Sequence, residues 1–160
     1  MRKYIYMNSP IDWDTYFMSV AILTSKRSKD NNTQVGAVIV DKFRRIIGCG
    51  YNGFISGVDE SLFPTSRDID LPYNLTKYPY TIHAEQNAIL NTVVFDVSGS
   101  TMYCTLFPCD NCAKIIAQKR ITEIVYLSDK YHEEPSYIAS RLLFDAADIK
   151  YRQYTGDILL

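Results

Sequence analysis

The chain has 160 residues, 47% of them hydrophobic and 22% charged, and seventeen Lys and Arg against eighteen Asp and Glu leave a net charge of −1. That length suits about one domain. The near-neutral balance argues against nonspecific binding to long nucleic acid, which needs a basic face, and leaves room for a local basic pocket for one phosphate. No apolar run approaches the ~20 residues that span a bilayer, so no membrane contact is expected. The start, MRKYIYMNSPIDW, does not read as a signal peptide. Of four cysteines, two form a C-x-x-C, which in an intracellular protein points to metal or redox chemistry rather than disulfides. A cytoplasmic setting follows as the expectation.

In chain order, Ser9-Pro10 reads as a helix cap and first helical residue. Trp13, Phe17, Val20 and Ala21 recur at helical spacing, giving a helix to about Lys26, and the polar stretch SKRSKDNNT follows as a loop. VGAVIV (35–40) reads as a buried strand, 41–44 as a turn and 45–51 as the return strand of a hairpin. The segment 52–80, punctuated by Gly53, Gly57, Pro64, Pro72 and Pro79, reads as a long loop, and loops of that length usually carry function. A helix is expected over 83–94 with Ala84, Ala88 and Ile89 inward, a strand over 101–106, and a second helix from Pro108 to about Lys119. A strand over 123–127, a helix over 136–146 and a last strand over 149–154 complete the chain. The order α-β-β-α-β-α-β-α-β predicts a mixed sheet between helix layers.

Two short motifs carry chemistry: His83-Ala84-Glu85 and Pro108-Cys109-Asp110-Asn111-Cys112. Together they spell H-x-E…P-C-x-x-C, the signature of zinc-dependent nucleobase deaminases. The donor types make physical sense. One imidazole and two thiolates suit a tetrahedral zinc and leave the fourth position open for water. His83 and the cysteines fall at the starts of two helices, where partial positive charge stabilises thiolates. Glu85, two residues past His83, suits a proton shuttle rather than a ligand. A redox C-x-x-C pair and a closed structural zinc site are the competing readings. Cys49 and Cys104 read as packed thiols, and His132 as a surface or pocket-rim residue.

The chain resembles the deoxycytidylate (dCMP) deaminases of the cytidine deaminase-like superfamily. The resemblance runs from about Trp13 to Tyr154. It rests on RSKD (27–30), VGAVIV (35–40), GYNG (50–53), KYPY (77–80), HAEQNAI (83–89), FPCDNCAK (107–114), SDKYH (128–132) and ASRLLF (139–144). It implies one deaminase domain over 1–160, with a three-layer α-β-α fold around a five-stranded mixed sheet. It implies hydrolysis of dCMP to dUMP and ammonia, feeding thymidylate synthesis. One catalytic zinc would be held by His83, Cys109 and Cys112, with Glu85 as the catalytic acid–base. Asn52 would hold the sugar, the Ala84 N–H the pyrimidine carbonyl, and Tyr131 and Lys130 together with Arg27 and Lys29 would surround the phosphate. The resemblance further implies a homohexamer activated by dCTP, with Mg2+ accompanying that effector, and inhibited by dTTP. The effector site would be built from Arg27, Lys29, Gly50, Tyr51 and Gly53. Ile55 stands where many members carry proline, a departure that bears on regulation and not on the chemistry. Deamination of dCTP, of a nucleoside or of a tRNA adenosine remains a rival within the superfamily. A noncatalytic zinc module that senses nucleotides is the rival outside it, and the intact Glu85 speaks against that one.

Overall fold

The computed structural model describes residues 9–159. A five-stranded sheet runs in the order β2-β1-β5-β6-β7, from β1 (Gly36–Val40), β2 (Ile46–Tyr51), β5 (Thr101–Leu106), β6 (Glu123–Ser128) and β7 (Lys150–Gln153). The hairpin β1/β2 and the pair β1/β5 are antiparallel, whereas β5/β6 and β6/β7 are parallel. Parallel neighbours need crossovers, and α3 (Asp110–Gln118) and α4 (Pro135–Ala146) supply them. Strand periodicity sorts the core. Ala37, Ile39, Met102, Cys104 and Ile124 face a cluster shared with α2 (Ala84–Leu90), α3 and Phe144 of α4. Their neighbours Val38, Val40, Tyr103 and Val125 face Phe17, Met18 and Ala21 of α1 (Trp13–Ser25). The three-layer α/β arrangement with a mixed sheet is therefore the one the element order called for. Among the described residues, no helix is long and apolar enough to cross a membrane.

Several boundaries differ, each for a local reason. Helix α1 starts at Trp13 with Asp12 as its cap, not at Ser9-Pro10. Asp12 Oδ1 accepts the Thr15 N–H at 2.9 Å and Oδ2 accepts the Thr15 hydroxyl at 2.6 Å. Trp13 lies off the inner face, 47% exposed, and stacks on Phe17 at 5.4 Å. Helix α2 stops at Leu90 because the edge of the sheet captures the chain: Asn91 Nδ2 donates to the Cys49 carbonyl and the Val93 N–H to the Ile47 carbonyl. Pro108 precedes the cap of α3, which is Cys109. Cys104 is a buried thiol, Cys49 is half-buried, and the His132 side chain is exposed.

The segment 52–80 is more ordered than its composition suggests. A two-residue strand β3 (Gly53–Phe54) pairs with β4 (Thr81–Ile82) and ties its ends together. Three single-turn 3-10 helices lie between them. The rings of Phe54, Phe63 and Tyr80 stack in sequence, with centroids 5.8 and 4.8 Å apart.

Helix α2 lies hard against β2. A Cβ at Gly50 would sit 2.2 Å from the Ala88 nitrogen and 2.4 Å from the Ala84 carbonyl oxygen, so only glycine permits this approach. Gly50 is thus a packing residue beneath the helix that carries Glu85, and unlike Tyr51 and Gly53 it does not line the cavity that Arg27 and Lys29 share. Gly50→Ala is expected to cost at least about 2 kcal/mol through overpacking against backbone. A calorimetric melt should show Tm lowered by about 4–8 °C for a chain of this size; an unchanged Tm would contradict the close packing.

Candidate active site

Two helix starts meet beyond the end of β5. The buried Phe107 and Pro108 lead out of the strand into Cys109, whose extended backbone caps α3 and leaves Cys112 in the first turn. His83, also extended, caps α2, and its N–H donates to Gln86 Oε1 at 3.3 Å. Ala84 and Glu85 are therefore the first two helical residues. The Ala84 N–H has no acceptor within its own helix and is available at the site.

His83 Nδ1 lies 3.4 Å from Cys109 Sγ and 3.4 Å from Cys112 Sγ, and the three donor atoms all fall within 4.8 Å of one another. A tetrahedral zinc with bonds of about 2.3 Å to sulfur and 2.0–2.1 Å to nitrogen sets its N and S ligands about 3.6 Å apart. The trio fits that ion. Cys49 and Cys104 stand apart from the cluster, which favours a three-ligand site over a closed one.

The charges are arranged for thiolate ligation. The hydrogen bond from Cys112, aided by contact with His83, outweighs burial and brings Cys109 down to about 4. The same pairing, with burial, pushes the Cys112 thiol well up. Contact with Cys109 lifts His83 to about 9 against the pull of burial. A zinc entering the site releases the remaining protons from His83 and Cys112. Glu85 is 4% exposed, and burial is the main force holding its carboxyl above the ordinary carboxylate range; Cys112 lies within hydrogen-bonding reach. A buried acid raised in this way is placed to hold and return a proton.

The site opens into a cavity of about 550 Å3 that includes His83, Ala84, Glu85, Cys109, Asn52 and Tyr131 in its wall. That volume suits a small-molecule ligand. The Asn52 side chain is engaged at both ends: Oδ1 accepts the Val35 N–H at 2.8 Å and Nδ2 donates to the Thr33 carbonyl at 2.9 Å. One amide hydrogen and one lone pair remain for a ligand. The Lys130 ammonium stands 4.8 Å over the Tyr131 ring and lines a neighbouring groove rather than this cavity. Burial opposes ionisation of Tyr131, but hydrogen bonds from Lys130 and Thr33 and the charges of Lys130 and Arg67 outweigh it and lower its pKa.

Arg27, Lys29, Tyr51 and Gly53 share a second cavity of about 450 Å3, with Ile55 also in its wall. Arg27 and Lys29 thus line a cavity other than the one that His83 and Cys109 line, and Lys29 is paired with Glu60 at 2.8 Å. Asp30, Asn52, Gly53, Lys77 and Thr81 belong to both cavities.

Sequence reasoning missed the cations that do line the first cavity, Arg67 and Lys77, as well as Tyr137 and Glu134. Lys77 is ion-paired with Asp30. Arg67 sits within hydrogen-bonding reach of the Tyr78 side chain, which raises its pKa further. Arg67 had a signal: it is the single basic residue between Ile46 and Thr76, in a stretch that otherwise carries Asp and Glu.

An imidazole, two thiols and a buried carboxyl at the carboxyl end of a sheet strand define a hydrolytic metal site. Residues 11–128 match the family described as the cytidine and deoxycytidylate deaminase zinc-binding region. The chain is 46% identical to a deoxycytidylate deaminase of Homo sapiens over 144 residues, covering 90% of this chain and 80% of that one. It is 45% identical to a probable deoxycytidylate deaminase of Drosophila melanogaster, covering 90% and 73% respectively. The crystal structure of the cyanophage S-TIM5 dCMP deaminase in complex with dCMP and dUMP has the same fold, with TM-score 0.69 and 24% identity over 92% of this chain and 100% of that one. The chain belongs to the cytidine and deoxycytidylate deaminase family, and as a deaminase it hydrolyses a C–N bond.

Elemental analysis should find about one zinc per chain, given one three-ligand cluster of this type. Cys109→Ala should lose the metal. Glu85→Gln should keep it while activity falls at least about 10²–10⁴-fold. Full activity in the metal-free protein, or a Glu85→Gln variant within about tenfold of the parent, would refute the assignment.

Proposed function

We propose that the chain deaminates dCMP to dUMP and ammonia, with His83, Cys109 and Cys112 as zinc ligands. The observation that carries this reading is the buried Glu85 beside the His/Cys/Cys trio in a cavity of nucleotide size. A zinc ion held by the trio supplies Lewis acidity that makes water nucleophilic at neutral pH. Glu85 accepts the proton of the attacking water and passes it to ring nitrogen 3 of the cytosine. Glu85 then takes the remaining proton from the hydroxyl at carbon 4 and delivers it to the amino group, so that the C4–N bond breaks, the C4=O bond forms and ammonia leaves. The Ala84 N–H donates to the pyrimidine carbonyl, and the free amide hydrogen or lone pair of Asn52 meets the sugar hydroxyl. Tyr131 lines the cavity and contacts the bound nucleotide. The resemblance supports a homohexamer acting in the cytoplasm and feeding thymidylate synthesis.

The phosphate reading moves from Arg27 and Lys29 to Arg67. Lys77 is ion-paired with Asp30, whereas Arg67 at the cavity wall is within hydrogen-bonding reach of Tyr78 and feels Asp30 only at longer range. A monophosphate brings about two negative charges, and charge-assisted bonds to it favour dCMP over deoxycytidine. An ultraviolet assay with dCMP, dCTP, CMP and deoxycytidine tests this. The parent should prefer dCMP, and Arg67→Ala should lower kcat/KM for dCMP about ten- to hundredfold with little effect on deoxycytidine. Equal specificity constants for dCMP and deoxycytidine would make this a nucleoside deaminase; a preference for dCTP would make it a triphosphate deaminase.

The second cavity is the effector site, taking dCTP with Mg2+ as activator and dTTP as inhibitor. In support, Arg27, Lys29, Tyr51 and Gly53 converge there, and the wall it shares with the first cavity gives the two ligands common elements to bias. Ile55 lies in that wall and removes no charge. Saturation curves for dCMP should be sigmoidal alone, hyperbolic with dCTP and Mg2+, and suppressed by dTTP. Three superimposable curves would exclude regulation through this cavity.

A further inference from the structure

Behind the cavity wall, outside the metal trio, lies an ion pair that the chemistry does not use. Asp129 begins the loop between β6 and α4, the loop that carries Tyr131 and Glu134 into the cavity. Its carboxylate is paired with Arg141 of α4, both side chains mostly buried. Among the described residues the other, buried Asp129 oxygen has no hydrogen-bond partner, and Arg141 is the one cation paired with this carboxylate.

Arg141 makes two further contacts. Its guanidinium donates to the Tyr137 carbonyl at 3.1 Å, and its plane lies 4.3 Å from the centre of the Phe107 ring. Each of the three groups it touches leads to the cavity. Phe107 lines it two residues before Cys109, and the Tyr137 ring lines it too. The Tyr137 ring also packs on Tyr131 with centroids 5.5 Å apart. The loop itself is closed by short backbone bonds, His132 N–H to the Asp129 carbonyl and Glu134 N–H to the Tyr131 carbonyl. It therefore moves as a unit with Asp129.

We infer that Arg141 is a positioning residue for substrate: by holding Asp129 against Phe107 and the start of α4, it fixes Tyr131 at the mouth of the cavity. It touches neither the metal ligands nor the cavity. Its loss should therefore weaken substrate binding and spare the chemical step. A planar, forked donor that stacks on an aromatic face is a task for arginine; lysine keeps the charge but neither the fork nor the stacking surface. This inference rests on the reading of the cavity as the dCMP site, and activity of the unmodified enzyme on dCMP tests that reading separately.

The experiment compares steady-state kinetics on dCMP for the parent, Arg141→Lys, Asp129→Asn, Tyr131→Ala and the Arg141→Lys/Tyr131→Ala double variant. Zinc content and thermal melts establish that each is folded. Asp129→Asn keeps the shape and removes the buried charge, so it serves even if Arg141→Lys fails to fold. Both should raise KM at least about tenfold with kcat within about threefold and zinc retained. Adding Arg141→Lys to Tyr131→Ala should raise KM by less than about twofold more, because the two act through one loop. Three results would overturn the inference: parental KM in folded Arg141→Lys or Asp129→Asn; a fall in kcat and zinc content at unchanged KM, which would place the effect on Cys109 through Phe107; or fully additive effects with Tyr131→Ala.

Discussion

The site depends on bringing the starts of two helices within bonding reach of one ion. Nδ1 of the residue capping α2 and Sγ of the residue capping α3 stand 3.4 Å apart. Neither helix could be drawn in without the rest of the architecture. The end of β5 aims Phe107-Pro108-Cys109 at the site, and the missing side chain at Gly50 lets α2 lie directly on β2. Because the cap positions have extended backbone, their side chains project past the helix ends and not onto the helix flanks. The first helical residues, Ala84 and Glu85, are carried in with them. An imidazole of the metal-competent trio, a backbone N–H without a helical acceptor and a buried carboxyl thus arrive on three consecutive residues, His83 to Glu85.

Burial supplies the electrostatics. A carboxyl that is 4% exposed resists ionisation, and a thiol that accepts hydrogen bonds from its partner ionises readily. In Glu85 burial prevails, whereas in Cys109 the hydrogen bonds from Cys112 and His83 outweigh it. Further out, the charges are paired across segments distant in sequence. Lys77 ties the segment 52–80 to Asp30 in the loop before β1, and Arg141 of α4 holds Asp129 in the loop after β6. Among the described residues Arg67 makes no ion pair, which is why the proposed phosphate contact is assigned to it.

The metal trio and Glu85 were legible in the sequence because ligand type and short spacing are local properties. The alternating strands 35–40 and 101–106 were legible for the same reason, since each strand buries both faces in full view of its own residues. What tertiary contacts decide was not legible. The two-residue pairing of β3 with β4 depends on the stacked rings of Phe54, Phe63 and Tyr80, which no local pattern announces. Gly50 sits in a motif that suggests ligand contact, yet its role is set by Ala84 and Ala88, more than thirty residues away. The basic pair Arg27 and Lys29 drew attention by proximity in sequence, whereas Arg67, isolated in an acidic stretch, and Lys77 are the cations that line the cavity beside the His/Cys/Cys trio.

The central claim is that three side chains of this chain, and no fourth, hold the metal beside Glu85. X-ray absorption at the zinc edge of the purified protein measures that directly. The account predicts two sulfur neighbours at about 2.3 Å, one imidazole nitrogen at about 2.0–2.1 Å and one further light atom that is not protein. The same spectrum should be recorded for Glu85→Gln. A shell with a third sulfur or a second imidazole, or one without sulfur, would contradict it.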